Sequence, residues 1–310
     1  MYLSVVTTMY RSAANLPEFY ARVKAQAEKL TDDYEIVLVN DGSPDNSLDV
    51  AVSLYQQDPH VRVIDFSRNF GHHKAMMTGI SHARGDYVFL IDCDLEEEPE
   101  LLSTFHETLC NHKNADVVYG VQEVRKGSWF EQMSGKLFYK LFNSLSLQKI
   151  PENLITARLM TKRYVDALVN YRESELIISG LWQSTGFVQI PVTVHKYSVS
   201  QSTYSLSRKF GYAVKAITSF SNRPLIFIAY VGALILMASL AIILYMLLEY
   251  LIHGTVPEGY TSLIVSVWFL GGLIVFCIGI VAVYIAVIFS ETKHRPYTII
   301  RHIYESKDQS

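Results

Sequence analysis

Cysteine is scarce in this chain of 310 residues, which contains three. The three thiols, Cys93, Cys110 and Cys277, lie far apart and include no Cys-x-x-Cys pair. A disulfide framework needs an even, closely spaced set and a structural zinc site needs paired ligands, so both are excluded as the basis of the fold. We expect free thiols, as in proteins of a reducing compartment.

Net positive charge and glycine-rich phosphate motifs are also missing. The chain carries 27 Lys and Arg against 30 Asp and Glu, a formal net charge of −3 at pH 7. Without a basic field, nucleic acid is not an expected partner. The sequence has no G-x-G-x-x-G and no P-loop, which argues against a dinucleotide or ATP cradle.

Lysine and arginine are absent from the whole of residues 224–292. Two apolar runs, 225–248 and 263–289, lie in this stretch, and each is long enough to cross about 30 Å of hydrocarbon. The connecting residues 248–260 contain glycine, proline and polar side chains, which end helices. We predict a C-terminal hairpin of two transmembrane helices over residues 224–292, with a short turn outside the membrane.

Basic residues flank this predicted hairpin at both outer ends. They are Arg208, Lys209, Lys215 and Arg223 before it, and Lys293, Arg295, Arg301 and Lys307 after it. By the positive-inside rule both termini are cytoplasmic, and the first residues are typical of a strand rather than a signal peptide. We expect a multi-pass protein of the inner (plasma) membrane, with a large cytoplasmic N-terminal domain and a basic cytosolic tail over residues 293–310.

Residues 206–223 precede the hairpin and place apolar side chains at helical spacing, with basic side chains elsewhere on the helix. This pattern predicts an amphipathic juxtamembrane helix on the membrane surface; an ordinary helix packed on the domain is the alternative. Two spans per chain also leave room for a homo-oligomer built on a helical bundle.

Strand-like apolar runs alternate with helical patterns between residues 2 and 121. We predict strands over 3–8, 35–39, 61–65, 87–91 and 117–121, and helices that begin at Asn15, Ser43, His72 and Pro99. Repeated βα units predict a parallel sheet covered on both faces, in an α/β domain over residues 1–205. Ligands of open α/β sheets bind beyond the carboxyl ends of the strands. Polar residues follow four such ends, at 7–8, 40–43, 67–69 and 92–94, and should meet in one crevice.

Asp92 and Asp94 are the most specific indication of a binding site in the sequence, because they directly follow an apolar predicted strand. Carboxylates two residues apart at a strand end can share a hard divalent cation, which completes its coordination with phosphate oxygens. The pattern favours a diphosphate substrate; a solvated acidic loop before a helix is the alternative. Of the acidic residues that follow, we expect only Glu96 to lie near the site.

Asp41 follows the second predicted strand and is a candidate for recognising a nucleotide base or ribose. A turn residue that caps the next helix beside Gly42 is the alternative. In the stretch 67–74, Arg68 and Lys74 are available to anionic groups. The adjacent His72 and His73 cannot both ligate one metal, so we interpret them as binding or structural groups.

Several short sequence motifs follow one another along nearly the whole chain. They are Val-Val-Thr-Thr-Met-Tyr (5–10), Asn-Asp-Gly-Ser (40–43), Ser-Arg-Asn-Phe-Gly-His-His-Lys-Ala (67–75), Gly-Asp-Tyr-Val-Phe-Leu-Ile-Asp-Cys-Asp-Leu (85–95), Arg-Leu-Met (158–160) and the two-run tail. In this combination the chain resembles glycosyltransferase family 2, and more narrowly the bacterial polyprenyl-phosphate glycosyltransferases.

The resemblance implies a GT-A fold with a Rossmann-like parallel sheet, a nucleotide-sugar donor, Mg²⁺ or Mn²⁺, and inversion at the anomeric carbon. By that resemblance, Asp41 would contact the nucleotide base, Asp92 the nucleotide and metal region, and Asp94 the metal. Arg158 would contact the phosphates. The donor site would also include Thr8, Tyr10, Ser67, Arg68 and Lys74.

Departures from the family pattern bear on the acceptor. Thr156, at the expected catalytic centre, replaces a carboxylate often assigned as base, and Ser179 and Thr203 replace an arginine and a lysine. A lipid phosphate is already ionised near pH 7 and needs no base, which favours a polyprenyl-phosphate acceptor. The reduced basic groups favour a hydroxyl of a lipid-linked saccharide instead.

The expected function is therefore inverting, metal-dependent sugar transfer to a lipid-linked acceptor at the cytosolic membrane face, for cell-envelope polysaccharide or O-antigen synthesis or modification. One alternative is a non-catalytic membrane partner that binds nucleotide-sugar, which the intact Asp92 and Asp94 oppose. Another is a membrane-tethered nucleotidyltransferase, for which the sequence has no lysine-bearing phosphate loop.

Overall fold

The computed structural model describes residues 1–122, 153–173, 178–194, 223–253 and 259–306. These residues fall into two compact units. The first unit holds the described residues up to 194 together with 295–306, and the second holds 223–253 and 259–294.

Eight strands of the first unit form one sheet. They are β1 (Leu3–Met9), β2 (Tyr34–Asn40), β3 (Val61–Phe66), β4 (Tyr87–Leu90), β5 (Val117–Gln122), β6 (Leu154–Thr161), β7 (Gln189–Val194) and β8 (Ile300–Tyr304). Their order across the sheet is β7-β5-β6-β4-β1-β2-β3-β8.

The helices of this unit lie between the strands in the sequence. They are α1 (Leu16–Leu30), α2 (Ser47–Gln57), α3 (His72–Ser81), α4 (Leu101–Asn111), α5 (Lys162–Leu168) and α6 (Ile178–Ser184). The four predicted helices are confirmed, but α2 and α4 begin later than predicted. The Ser43 hydroxyl lies before α2 and accepts a hydrogen bond from the Arg11 backbone, which connects two loops.

The central strands β3, β2, β1 and β4 are parallel neighbours, as predicted. Every residue of β1, β2 and β3 is buried, as is typical of parallel strands with both faces covered. Because these strands run in one direction, their carboxyl ends lie at the same edge of the sheet. That edge carries the loops after β1, β2, β3 and β4.

In the other half of the sheet the five predicted strands keep one direction, but an antiparallel strand that was not predicted lies between two of them. β6 lies between β4 and β5 and is antiparallel to both, and β5 pairs in parallel with β7. The prediction of a parallel sheet rested on the repeated βα units of residues 2–121. Here a strand from much farther along the chain separates β4 from β5, and the local βα pattern carries no signal of it.

The C-terminal residues, predicted as a basic tail, contribute β8 to the sheet. β8 is antiparallel to β3, with Val63 opposite Tyr304 and Ile64 opposite Ile303. Its apolar side chains are half-buried, while Arg301 and His302 are exposed. β8 therefore pairs with the backbone of β3, which would otherwise present an open sheet edge.

The second unit consists of α7 (Arg223–His253) and α8 (Tyr260–Thr292). By length and composition, one stretch of the described helices, Ser266–Thr292, suffices to cross a membrane, and Arg223–Ser239 is a shorter apolar stretch. Both predicted runs are thus helical, while a hairpin of two membrane spans stays a prediction. The predicted turn is shortened by the extent of α7, and residues 254–258 and 206–222 lie outside the described residues.

Candidate active site

A crevice of about 220 Å³ opens at the carboxyl ends of β1, β2 and β4. It is lined by Thr8, Met9, Tyr10, Ser12, Asp41, His72, Asp92, Cys93 and Asp94. Three of the four strand ends that were expected to meet line this space, whereas residues 67–69 do not. Five of the predicted site residues line this one space: Thr8, Tyr10, Asp41, Asp92 and Asp94.

Asp41 is 3% exposed and joins the loops after β2 and β3. Its carboxylate accepts hydrogen bonds from the backbone N–H of Phe70 at 2.7 Å and of Gly71 at 3.0 Å. Burial raises the pKa of Asp41, and these two N–H groups oppose that rise by stabilising the charged form. The side chain is thus a fixed acceptor at one wall of the crevice.

Gly42 explains why these two loops can approach so closely. It has φ of +61°, and a Cβ at this position would lie 2.4 Å from the Arg68 carbonyl carbon and 2.5 Å from the Asn69 nitrogen. A side chain would therefore collide with backbone as well as strain the left-handed conformation. The Asn69 amide also donates to the Asp41 carbonyl at 3.1 Å, which closes the contact.

Asp92 and Asp94 lie beyond the end of β4. Asp92 is 19% exposed and Asp94 is exposed, and the Asp94 carboxylate accepts a hydrogen bond from the Glu96 backbone at 2.9 Å. Within the described residues no group of three or more His, Cys, Asp or Glu side chains is arranged to hold a metal ion. A cation held by this pair would take most of its ligands from phosphate oxygens and water, and the metal role of Asp92 and Asp94 stays a prediction.

His72 connects two walls of the crevice, a position that the sequence did not indicate. Its Nδ1 lies 3.0 Å from Thr8 Oγ1, and its Nε2 lies 3.4 Å from Asp92 Oδ1. The ring thus bridges the end of β1 and the end of β4 from the first residue of α3. The adjacency of His72 and His73 excluded joint metal ligation but gave no signal of this bridge.

Cys93 lies between the two aspartates but is buried. Its thiol donates to the Thr8 carbonyl at 3.1 Å, and burial raises its pKa to about 11. The group is therefore a neutral thiol at pH 7 that links β1 to the loop after β4. A thiolate nucleophile is not expected at this position.

Three residues of the predicted donor site do not line the crevice in the described part of the chain: Ser67, Arg68 and Lys74. The Arg68 guanidinium lies over the Phe70 ring, 4.1 Å from its centroid, and donates to the Asn69 carbonyl. Lys74 lies in the first turn of α3 and is half-buried. Their contacts with a donor stay predictions.

Arg158 is 1% exposed and also lies outside the set of side chains that line the crevice. Its guanidinium lies over the Trp182 ring, and its Nη2 has no hydrogen-bond partner in the described structure. Burial lowers the pKa of Arg158 to about 9, so the group stays cationic at pH 7. Its predicted contact with phosphates stays a prediction.

Glu97 connects the segment that follows Asp94 to β6, although only Glu96 was expected to lie near the site. It is 1% exposed, and its two carboxylate oxygens accept hydrogen bonds from the backbone N–H of Thr156 at 3.1 Å and of Ala157 at 2.7 Å. The segment after Asp94 is thereby fixed to β6, which carries Thr156 and Arg158. Runs of acids before a helix are ordinary, so the sequence did not distinguish Glu97 from its neighbours.

The sequence matches the family described as Glycosyl transferase family 2 over residues 4–169, more than half of the chain. The chain belongs to this family. The match extends from β1 to the end of α5 and includes the predicted site residues from Thr8 to Arg158. This family 2 member is a glycosyltransferase.

Relatives of this glycosyltransferase match it almost from end to end. A protein of Mycobacterium tuberculosis (strain CDC 1551 / Oshkosh) named as a glycosyltransferase is 51% identical over 306 residues, covering 99% of this chain and 89% of that protein. The bactoprenol glucosyl transferase of Shigella phage SfV is 32% identical over 308 residues, covering 97% of this chain and 99% of that protein.

The fold has a solved counterpart in the mannosyltransferase of Pyrobaculum calidifontis, determined in complex with GDP-Man and Mn²⁺. That structure aligns with a TM-score of 0.50 at 15% identity, covering 69% of this chain and 62% of that chain. The likeness is one of fold. Together with the family match, it confirms the GT-A fold of this glycosyltransferase.

Proposed function

We propose that this glycosyltransferase moves a sugar from a nucleotide-sugar to a polyprenyl-phosphate carrier at the cytosolic face of the membrane, for cell-envelope polysaccharide or O-antigen synthesis or modification. One observation carries the proposal: the bactoprenol glucosyl transferase of Shigella phage SfV matches 97% of this chain and 99% of its own length. The similarity therefore includes the apolar C-terminal helices as well as the GT-A domain. A lipid acceptor suits such an arrangement.

The crevice supports a nucleotide-sugar donor. The fixed Asp41 carboxylate can accept hydrogen bonds from a nucleotide base or ribose. Asp92 and Asp94 are the residues that would hold Mg²⁺ or Mn²⁺ beside the donor diphosphate. A divalent ion bound there supplies neutralisation of the charge that develops on the departing nucleoside diphosphate.

The chemistry needs one bond to form and one to break. An oxygen of the lipid phosphate attacks the anomeric carbon from the side opposite the nucleoside diphosphate, and the bond from that carbon to the diphosphate breaks, so configuration inverts. Because the attacking phosphate carries no proton at that oxygen near pH 7, a carboxylate base is not required, which agrees with Thr156 at its place. The cationic Arg158 is the candidate for stabilising phosphate charge, as the resemblance implies.

A hydroxyl of a lipid-linked saccharide is the second candidate acceptor. Ser179 and Thr203 favour it, because they replace basic residues that would bind an acceptor phosphate. Membrane topology also belongs to the proposal: two spans, with the GT-A domain and both termini in the cytoplasm, follow from the distribution of Lys and Arg.

The test uses the purified full-length protein in lipid nanodiscs. UDP-glucose, UDP-GlcNAc and GDP-mannose are each supplied with Mg²⁺ or Mn²⁺ and with undecaprenyl phosphate or a lipid-linked saccharide, and released nucleoside diphosphate and glycolipid are measured. We expect one donor to give release that depends on undecaprenyl phosphate, with the Asp94→Asn protein as the inactive control. Turnover only with the saccharide would select the second acceptor, and absence of glycolipid with every pair would overturn the proposal.

A further inference from the structure

The C-terminal segment 298–305 contacts the loop that follows β3, and backbone N–H groups of that loop bind the Asp41 carboxylate. Ser67 begins the loop, and both of its backbone polar groups are bound by this segment. Its N–H donates to the Ile299 carbonyl at 3.0 Å, and its carbonyl accepts a hydrogen bond from Arg301 Nη2 at 2.7 Å. The loop is therefore fixed at its first residue by β8 and the residue before it.

The other branch of the Arg301 guanidinium reaches Asp65, which lies in β3. Its Nη1 lies 3.3 Å from Oδ2 of Asp65, which is 2% exposed. The Asp65 Oδ1 accepts from the Asn40 amide at 2.8 Å, and the Asn40 carbonyl oxygen of the side chain accepts from the Ser43 backbone at 3.2 Å. A chain of polar contacts thus runs from β8 through β3 to the residues on both sides of Asp41.

Asp41 depends on both of these loops. Its own backbone belongs to the loop after β2, and its carboxylate is oriented by N–H groups of Phe70 and Gly71 in the loop after β3. A relative shift of the loops would lengthen these hydrogen bonds and turn the carboxylate away from the crevice. Arg301 contacts the first residue of the loop after β3 directly and is linked to the loop after β2 through Asp65 and Asn40, while lying outside the crevice itself.

We propose that Arg301 is a positioning residue for the nucleoside end of the donor. Its forked guanidinium holds Ser67 and Asp65 at once, and thereby keeps the Asp41 carboxylate in the orientation that binds a nucleotide. A lysine has one ammonium and does not reproduce this two-point contact. The inference rests on the proposed function, because it assigns Asp41 to the donor nucleotide.

The exposure of Arg301 separates this role from a purely structural one. Its side chain is 59% exposed, so its ion pair with Asp65 adds little to global stability after solvent screening. The β3–β8 backbone pairing does not need the side chain. Loss of the guanidinium should therefore alter the loops more than it alters the fold.

The experiment compares three variants of the full-length protein in nanodiscs: Arg301→Ala, Arg301→Lys and Arg295→Ala. Arg295→Ala is the matched control, since it removes one exposed positive charge from the residues that precede the segment 298–305. For Arg301→Ala we expect the donor KM to rise about tenfold, with kcat and the acceptor KM within about threefold of wild type. Arg301→Lys should recover only part of the loss, Arg295→Ala should match wild type, and all three should melt within a few degrees of wild type.

The outcomes are distinguishable. If wild type and Arg295→Ala turn over no nucleotide-sugar, the proposed function fails. If both are active and Arg301→Ala has an unchanged donor KM, or raises the acceptor KM equally, the positioning role is overturned. A variant Arg301→Ala that does not fold would overturn it as well, because Arg301 would then support the sheet rather than the donor loops.

Discussion

The Glu97 carboxylate accepts a hydrogen bond of 2.7 Å from the backbone N–H of Ala157, in a buried contact between residues that are 60 positions apart. The second oxygen accepts from Thr156 at 3.1 Å. One side chain therefore holds the segment that follows the metal-binding candidates against the strand that carries the predicted catalytic threonine. Substitutions at Glu97 should affect both stability and transfer.

We expect Glu97→Gln to lower the midpoint of thermal unfolding by about 3–10 °C, because the amide NH₂ leaves one buried N–H of β6 without an acceptor. Transfer should fall together with stability. Glu98→Gln is the control, since Glu98 belongs to the same acidic run and is half-buried. Equal unfolding midpoints for the two variants, measured by differential scanning fluorimetry, would contradict the role of Glu97.

The central part of the fold could be predicted from the sequence because its signals are local. Four βα units give parallel neighbours, and parallel neighbours bring Thr8, Asp41 and Asp92 to one edge of the sheet. The prediction needed only strand ends and the polar residues that follow them. Neither requires knowledge of a contact between distant segments.

The remaining parts depend on contacts between segments far apart in the chain. β6 lies between β4 and β5, and β8 pairs with β3 after the long apolar helices, so neither neighbour can be inferred from spacing. The burial of Arg158 follows from β6 and from Trp182 in α6. The role of Glu97 follows from the same strand. Because β6 and β8 were not predicted, the contacts of the residues that these strands carry were not predicted either.

Asp92→Asn and Asp94→Asn should each reduce transfer at least about 100-fold, because each removes a charged ligand from the proposed metal pair. The chain should still fold, since Asp94 is exposed and Asp92 is partly so. Donor turnover is measured with Mg²⁺ or Mn²⁺ titrated from zero, and wild type should lose activity in EDTA. Near-normal turnover of the Asp94→Asn protein at saturating Mn²⁺ would exclude the metal role.

Nucleotide affinity should depend on the ionisation of Asp41. Burial raises the pKa of this carboxyl, so it protonates at a higher pH than an exposed aspartate, whose pKa is about 4. A protonated group loses its charge and part of its acceptor capacity. We therefore expect the Kd of the cognate nucleoside diphosphate to increase as pH falls toward 5, which means weaker binding. The Kd is measured by calorimetry without added metal.

The matched controls are Asp41→Asn and Asp45→Asn. The first should bind weakly at pH 7 and lose this acid dependence, because no carboxyl remains to titrate. The second removes an exposed carboxylate of the same loop, whose pKa is lowered, and should retain the wild-type profile. If the loss of nucleotide affinity at low pH persists unchanged in Asp41→Asn, the titrating group is not Asp41.

Cysteine labelling in intact cells tests the proposed topology. In a Cys110→Ser, Cys277→Ser background, the remaining Cys93 is buried and its raised pKa keeps it unreactive. A cysteine introduced at Thr255 should react with an impermeant maleimide, and one introduced at Ser310 should react only after lysis. The exposed Cys110 of the otherwise native chain serves as a further reporter of the GT-A domain, and its labelling in intact cells would reverse the assignment.

Thr156 decides between the two acceptors. Its backbone is held by Glu97, so Thr156→Ala removes the hydroxyl without releasing the strand. If a lipid phosphate is the nucleophile, no proton transfer is lost, and the rate should fall no more than about tenfold. The pH–rate profile should then be nearly flat from about pH 6.5 to 8.

If a saccharide hydroxyl is the nucleophile, another group must accept its proton, and Glu152, Glu173 and Glu175 are the carboxylates in this half of the domain best suited to do so. Of these, Glu173 lies within the described residues. Neutralising the correct one to Gln should cost about 100-fold or more, and the profile should bend at its pKa. A mild Thr156→Ala effect with three tolerated Glu→Gln variants supports the phosphate acceptor, because a phosphate oxygen reaches the anomeric carbon already deprotonated. One essential glutamate with a steep profile would instead require a hydroxyl nucleophile, since only a hydroxyl needs its proton removed as the new bond forms.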